Sequence, residues 1–311
     1  MFLNPHRRGC LDNRQRIPAV VNKASGTAED ATRALTENGA FDIHSVEPDA
    51  IGRTVKSLVE GGARRILVAG GDGTIGTAAA VLLEHPAELV VLPGGTLNHF
   101  ARDLGISTDA AEALELDGHP CRGVDVGMVN GHVFLNTSSV GAYVHFVRAR
   151  ERLEKRFGYR IASFLAAFRI LFEFRRVGVE LEVDGVKQLY RTPLVFIGVG
   201  ERELQMPTLG NRVKNGRRGL HVMILRSNSA ARLVALGLSA VARGVEHVSK
   251  LPEFESLTVD RCRIDLRHVT RVAVDGELVG LEPPLEYSLK RDALQVICPP
   301  PEPAPPGSDA R

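Results

Sequence analysis

The segment Arg65–Thr74, RILVAGGDGT, constrains this chain more than any other. Four apolar residues, Ile66 to Ala69, run straight into Gly70-Gly71-Asp72-Gly73-Thr74, and Ile75–Leu83 then reads as a helix. An unbroken apolar run of this length predicts a strand covered on both faces. The glycines let backbone N–H groups approach an anion, and the helix start adds partial positive charge, so the turn is suited to phosphate. Asp72 repels phosphate unless a cation lies between, which places it on the metal side of a Mg-nucleotide. The plainer reading is a tight strand-to-helix turn with Asp72 as an N-cap.

The segments around this turn repeat its logic. Pro18–Asn22 reads as a strand, Lys23–Thr27 as a loop with a hydroxyl-glycine pattern, and Ala28–Glu37 as a helix stopped by Asn38-Gly39. Phe41–Val46 is a second strand, followed by a helix over Asp49–Glu60 with Asp49 as its cap. Glu88–Pro93 is a fourth strand leading into Gly94-Gly95-Thr96-Leu97-Asn98, with helices over Asn98–Leu104 and Thr108–Leu116. Strands alternating with helices predict a doubly wound α/β domain over residues 17–122. Ligands of such sheets bind at the carboxyl ends of the strands, where all three loops fall. In Pro93–Asn98, Gly94 and Gly95 can approach phosphate or adenine, Thr96 can donate, and Asn98 can cap the helix or orient a group; a plain turn with an Asn cap is the alternative.

The pattern changes after Cys121. Asn130-Gly131, Asp184-Gly185 and Asp275-Gly276 separate apolar alternating runs and suit type I′ hairpin turns. Leu194–Val199, Gly219–Arg226, Ser256–Asp265, Arg271–Val274, Leu285–Leu289 and Leu294–Cys298 are further strands. Residues 123–298 are therefore expected to form a mostly β, sandwich-like domain whose last strand returns to the first domain. It carries a helical insertion at 143–176 and a shorter helix over Ala230–Arg243. Residues 1–16 are expected to be loose, and the proline-rich 299–311 to be a disordered tail.

Composition removes several classes. A net charge of +2 argues against wholesale nucleic-acid binding. No apolar run approaches the length of a membrane span, and Arg7 and Arg8 are not followed by a signal-peptide core. Cys10, Cys121, Cys262 and Cys298 match no zinc or redox spacing. His44, His145, His221, His247 and His268 are isolated, so no transition-metal site is expected. A reduced, cytoplasmic protein follows.

Three motifs, GGDGT at 70–74, PGGTLNHFARDLGI at 93–106 and VDGE at 274–277, resemble the diacylglycerol kinase catalytic-domain family, which includes bacterial soluble lipid kinases and sphingosine and ceramide kinases. The resemblance spans Ile17 to Cys298. It implies ATP in a cleft between an α/β domain and a β-sandwich, with Mg2+ and a lipid hydroxyl as acceptor. The implied nucleotide contacts are Asn22, Ser25, Gly26, Thr27, Gly70, Gly71, Asp72, Gly73, Thr74, Gly94, Gly95, Thr96 and Asn98. The implied metal residue is Asp72. Glu277 or Asp275 is the implied general base; in sphingosine kinases that role goes to the aspartate matching Asp72. Lys23 replaces the proline of the family's NPxSG loop. GGDGT alone also occurs in NAD kinases, so an NAD kinase-like enzyme is one alternative, and a non-catalytic nucleotide- or lipid-binding module is another.

Departures fall on the acceptor side. His99 stands where the family carries aspartate, and Val199–Gln205 lacks the paired asparagines often found there. Bacterial relatives hold a structural Mg2+ with acidic residues in a turn matching Asn215–His221, which has no carboxylate here; Arg217 or Arg218 is expected to supply charge instead. Arg150–Arg176 carries eight basic and three acidic residues around apolar positions at helical spacing. It is expected to pack on the core with a basic rim, or to touch an anionic bilayer at the inner membrane face. Arg212, Lys214, Arg217 and Arg218 could join that surface. The expected partners are a lipid substrate and a transient membrane surface, with a homodimer left open.

Overall fold

A computed structural model of the chain describes residues 16–116, 119–141, 177–203, 211–225, 254–266 and 270–300. The expected insertion at 143–176, the helix over Ala230–Arg243, nearly all of the N-terminal segment and the tail past residue 300 lie outside the described residues.

The first half alternates as its periodicity predicts: β1 (Ile17–Asn22), α1 (Ala28–Asn38), β2 (Phe41–Val46), α2 (Ile51–Glu60), β3 (Arg65–Gly70), α3 (Asp72–Leu82) and β4 (Glu88–Pro93), then the short α4 (His99–Asp103) and α5 (Ala110–Ala113). The four strands pair in parallel in the order β2-β1-β3-β4. Because β2 lies on one side of β1 and β3 on the other, right-handed crossovers send α1 to one face and α2 and α3 to the opposite face. Accordingly α1 contacts α5, and α2 contacts α3. Ile66, Leu67, Val68 and Ala69 are all buried, the consequence of two covered faces. Truncating Leu67 to alanine would cost about 2–5 kcal/mol by the usual cavity penalty. The order reverses direction between β1 and β3, so their carboxyl ends open a crevice there.

The remaining strands are β5 (Cys121–Val129), β6 (His132–Phe134), β7 (Thr137–Gly141), β8 (Val177–Val183), β9 (Val186–Thr192), β10 (Leu194–Val199), β11 (Leu220–Leu225), β12 (Phe254–Val259), β13 (Arg261–Leu266), β14 (Thr270–Val274), β15 (Glu277–Leu281) and β16 (Leu285–Ile297). The parallel sheet continues through β16 into β13, β8 and β9, with β5 also on β16 and β6 on β5. A second, antiparallel sheet runs β12-β11-β10-β7-β14-β15. One apolar core fills the space between the two sheets, with Phe134, Val140, Ile197, Val222, Ile264 and Leu285 among its buried members. Phe134 meets Tyr287 edge-on, ring centroids 6.2 Å apart, and the buried Tyr287 hydroxyl is satisfied by Ser138 Oγ at 3.0 Å. An α/β half followed by a mostly β half is the expected fold class.

Strands β5 and β16 tie the halves together. They pair antiparallel from Cys121↔Ile297 to Val129↔Tyr287. The end of β16 lies parallel to β4, with Val296 opposite Leu89 and Ile297 opposite Val90. Val124, Val126, Leu294 and Val296 enter the first core, whereas Val129, Leu285 and Tyr287 enter the second.

Four local expectations need correction. Ser256–Asp265 is two strands, not one: β12 and β13 are broken at Asp260 and belong to different sheets. Leu285–Leu289 and Leu294–Cys298 are one strand, β16, carrying a bulge between Lys290 and Leu294 with Asp292 at φ 49°. Asp49 is not the cap of α2: it sits inside a 3-10 turn, Pro48–Ala50, and α2 starts without a side-chain cap. Thr137–Gly141, which the hairpin reading left out, forms β7 at the centre of the second sheet.

Candidate active site

A cleft of about 790 Å³ opens at the carboxyl edge of the parallel strands. It is lined by the loops after β1, β3 and β4, by the turn before α2, and by Glu277 from the β-rich half.

The three loops fasten one another. Asn22 Nδ2 donates to Thr74 Oγ1 at 2.8 Å. Ser25 Oγ and Thr27 Oγ1 both donate to the Gly94 carbonyl, at 2.8 and 3.1 Å. Gly94 N donates to the Gly70 carbonyl at 2.8 Å. Gly71 and Gly95 touch backbone to backbone: a Cβ on Gly95 would lie 2.7 Å from Gly71 Cα. These glycines are therefore needed for loop-on-loop packing as well as for ligand approach. The Ser25 and Thr27 protons are committed to Gly94, so donors for an anion come from backbone N–H groups. No side chain caps α1 or α3 among the described residues, and the loops at their first turns, Gly26-Thr27 and Gly71-Gly73, line the cleft. First-turn N–H groups lack partners within a helix, so two helix starts present donors to the same space. Gly26 has nothing within 4 Å of a built Cβ, so no protein atom demands glycine there.

Asp72 has a definite structural task. It opens α3, but its carboxylate caps a different helix, accepting His99 N–H at Oδ2 and Phe100 N–H at Oδ1, both at 3.1 Å. Asn98, the positional cap of α4, turns its amide back instead: Oδ1 accepts Gly95 N–H and Nδ2 donates to the Gly95 carbonyl, each at 2.8 Å. Its left-handed φ of 49° makes that clip possible. His99 is exposed, and Thr96 lies exposed on the cleft wall.

The Asp275-Gly276 turn has φ of 45° and 87°, the left-handed pair that a type I′ turn requires. The two carboxylates flanking Gly276 part company. Asp275 turns inward and accepts three backbone N–H groups, from Leu135 at 2.7 Å and from Asn136 and Thr137 at 2.9 Å. Burial pushes its carboxyl up to about 6 despite those donors, with a smaller push from the Asp72 charge. Glu277 is exposed and enters the cleft beside α3; a Cβ on Gly73 would lie 2.5 Å from Glu277 Oε1. The structure thus brings Asn22, Ser25, Gly26, Thr27, Gly71, Gly73, Thr74, Gly94, Gly95 and Thr96 to one crevice with Glu277. Gly70, Asp72 and Asn98 do not line it but hold the loops that do, and Asp275 turns away to support the β6–β7 corner.

A single cleft-lining carboxylate such as that of Glu277 fits a hard cation only if phosphate oxygens supply most of its ligands. Mg2+ is commonly held by one or two carboxylates plus substrate oxygens. Glu277 offers a carboxylate on the cleft wall, whereas Asp72 lies behind the lining with each oxygen accepting an α4 N–H. No group of three or more His, Cys, Asp or Glu that could hold a metal alone occurs among the described residues. In Asn215–His221, where charge is expected from Arg217 or Arg218 rather than from carboxylates, Arg218 Nε donates to Asp125 Oδ2 at 2.8 Å, and Nη2 reaches Asp125 Oδ1 and, at 2.7 Å, Asp292 Oδ1. Burial alone would raise the Asp125 carboxyl, but the Arg218 hydrogen bonds and the Asp292 N–H hold it below the ordinary range. Arg217 contributes its backbone N–H to Glu201 instead.

Sequence reasoning missed Pro48, Ile51 and Thr77 on the cleft wall, and gave Asp49 a capping role rather than a lining one. Only their place after β2 and on α3 could have suggested them. It also missed Arg202, a buried residue whose Nη1 donates to Asp103 Oδ2 of α4 at 2.8 Å.

Residues 17–129 match the diacylglycerol kinase catalytic domain family. A protein of Pseudomonas fluorescens (strain Pf0-1), named "Probable lipid kinase YegS-like", is 36% identical over 152 residues, 48% of this chain and 48% of its own length. That match therefore spans about half of the relative. A diacylglycerol kinase of Staphylococcus carnosus (strain TM300) is 28% identical over 73% of this chain and 74% of its own. A crystal structure of a candidate diacylglycerol kinase from Bacillus anthracis str. Sterne superposes with a TM-score of 0.71 at 22% identity, covering 92% of this chain and 97% of that one, which shows a shared fold. It is through residues 17–129, with the glycine-rich loops that line the cleft, that the chain matches the diacylglycerol kinase catalytic domain family, and the relatives it is similar to are named lipid kinase and diacylglycerol kinase.

Proposed function

We propose that the protein is an ATP-dependent lipid kinase that transfers the γ-phosphate of Mg-ATP to a hydroxyl of diacylglycerol or a sphingoid-like lipid. The observation that carries this reading is the reach of Glu277 from the second sheet into a crevice built by three glycine-rich loops. Backbone N–H groups at the starts of α1 and α3 would hold the phosphates, and the Gly26 and Gly71–Gly95 surfaces would let them approach. Asp72, pinned by two N–H groups of α4, would lie on the metal side. Mg2+ bound there would neutralise developing charge on the phosphate oxygens. Glu277 would accept the proton of the lipid hydroxyl as its oxygen bonds to the γ-phosphorus and ADP leaves. Asp275, with three N–H groups on its carboxylate, supports the hairpin rather than touching the reacting atoms.

The test is labelled-phosphate transfer from ATP to a panel of neutral lipids, with Glu277→Gln beside the parent. General-base loss typically lowers turnover by about 10²–10⁴-fold. We expect a fall of that size with nucleotide affinity within about twofold. Undiminished turnover in the variant removes Glu277 from the proton step. Transfer to no lipid in the panel, with nucleotide still bound, rejects the kinase.

No helix among the described residues is long and apolar enough to cross a membrane. A lipid acceptor would then be met at a bilayer surface, and the basic stretch Arg150–Arg176, outside the described residues, is our candidate for that contact.

A further inference from the structure

Glu277 opens β15 of the second sheet and Asp72 opens α3 after β3 of the first, yet a continuous set of bonds joins them behind the cleft. Asp72 holds the first two N–H groups of α4. Asp103, the last residue of that same short helix, takes Nη1 of Arg202 at 2.8 Å, with side-chain exposures of only 13% and 2%. The other arm of the guanidinium, Nη2, donates to the carbonyls of Val199 at 2.7 Å and Asn136 at 3.1 Å. Arg202 N–H is itself fixed by His221 Nδ1 at 2.9 Å. The N–H groups of Leu135, Asn136 and Thr137 grip Asp275, and Glu277 stands two residues further on.

We propose that the Arg202–Asp103 pair is a positioning device: it sets the spacing between Glu277 and the Asp72 loop, and so tunes the proton-transfer step without touching substrate. This rests on the kinase reading given above. Two features separate it from a plain interface bond. The guanidinium serves acceptors on α4, on β10 and in the β6–β7 corner, a fork that lysine cannot reproduce. The short α4 transmits the bond directly, because its two ends carry Asp103 and the N–H groups held by Asp72.

The experiment compares Asp103→Asn, which keeps volume and removes charge, with Arg202→Lys, which keeps charge and removes the fork. Both are combined with Glu277→Gln in the full chain. Expected for each single variant is a fall in kcat of at least about 10-fold with KM for ATP within about twofold, and a further loss below about twofold in the Glu277→Gln background, the non-additivity of groups that act as a unit. Should Arg202→Lys not fold, Asp103→Asn decides alone. Amide exchange supplies a readout independent of turnover: in Asp103→Asn, the Leu135–Thr137 and His99–Phe100 amides should exchange faster while those of α1 do not change. Turnover kept within twofold, losses that add in full to Glu277→Gln, or unchanged exchange at these amides would each overturn the proposal. If the parent enzyme phosphorylates no lipid, the kinase reading fails by itself, and the exchange comparison still decides whether the pair couples the two sides.

Discussion

The two walls of the cleft are held by opposite means. On the loop wall, backbone rests on backbone: Gly71 on Gly95, Gly94 on Gly70, with small hydroxyls closing the gaps. On the hairpin wall, a single carboxylate, Asp275, gathers three N–H groups into the β6–β7 corner. The first wall is short-range and neutral, and fails when volume is added. The second is electrostatic, and responds to charge and pH. In the proposed kinase reading, admitting a highly charged ligand and placing one acid against it fall to different chemistry.

Three measurements would break or sharpen that contrast. The largest effect is expected at Asp275. Burial pushes its carboxyl in the folded state up to about 6 from an ordinary 3.8, so the folded protein binds the proton more readily than the unfolded chain. The associated stability is complete below about pH 4 and is lost as pH rises through about 6, on the order of 3 kcal/mol at 1.36 kcal/mol per pH unit. Unfolding free energies of the parent measured against Asp275→Asn across that range should therefore diverge in slope. Parallel curves would show that the corner does not depend on this charge. Next comes Gly95→Ala, which forces a methyl to 2.7 Å from Gly71 Cα. Overpacking of this kind costs about 1–3 kcal/mol, visible in chemical denaturation without any pH dependence. The smallest effect on the fold is expected at Gly26→Ala, because open space surrounds that position. Stability should stay within about 0.5 kcal/mol, as for surface changes. Nucleotide titration should nevertheless show affinity about 10-fold weaker if phosphate fills that space, a loss of about 1.4 kcal/mol. Equal affinity would move the ligand away from the first loop.

The same contrast explains what could be read from the sequence. The loop wall was legible because its determinants are local: apolar runs mark β1, β3 and β4, and each ends in glycine-rich punctuation. The three Asn-Gly and Asp-Gly turns were legible for the same reason, and all show left-handed φ at both positions. The hairpin wall was half legible. The motif VDGE brought Asp275 and Glu277 to notice, but nothing near them in sequence says that one faces residues 135–137 and the other the cleft. Asp72 capping a helix 27 residues away, and Arg202 reaching Asp103, are long-range facts of the same kind. The break at Asp260 was missed because apolar character continues on both sides of it. The bulge in β16 was mistaken for a strand end because Lys290-Arg291-Asp292 is charged. In the fold those charges are satisfied outside the ladder, Arg291 by Asp260 at 2.6 Å and Asp292 by Arg218.

The placement of β16 has a consequence for how the molecule comes into being on the ribosome. Residues 17–129 contain the glycine-rich loops, yet among the described residues β4 obtains its outer neighbour from Val296 and Ile297 alone, the end of the last described strand. Until synthesis reaches that point, the nascent α/β half carries an exposed, apolar strand edge, the kind of surface that invites pairing with a neighbouring chain. The order of translation thus leaves the first-made sheet to be closed last.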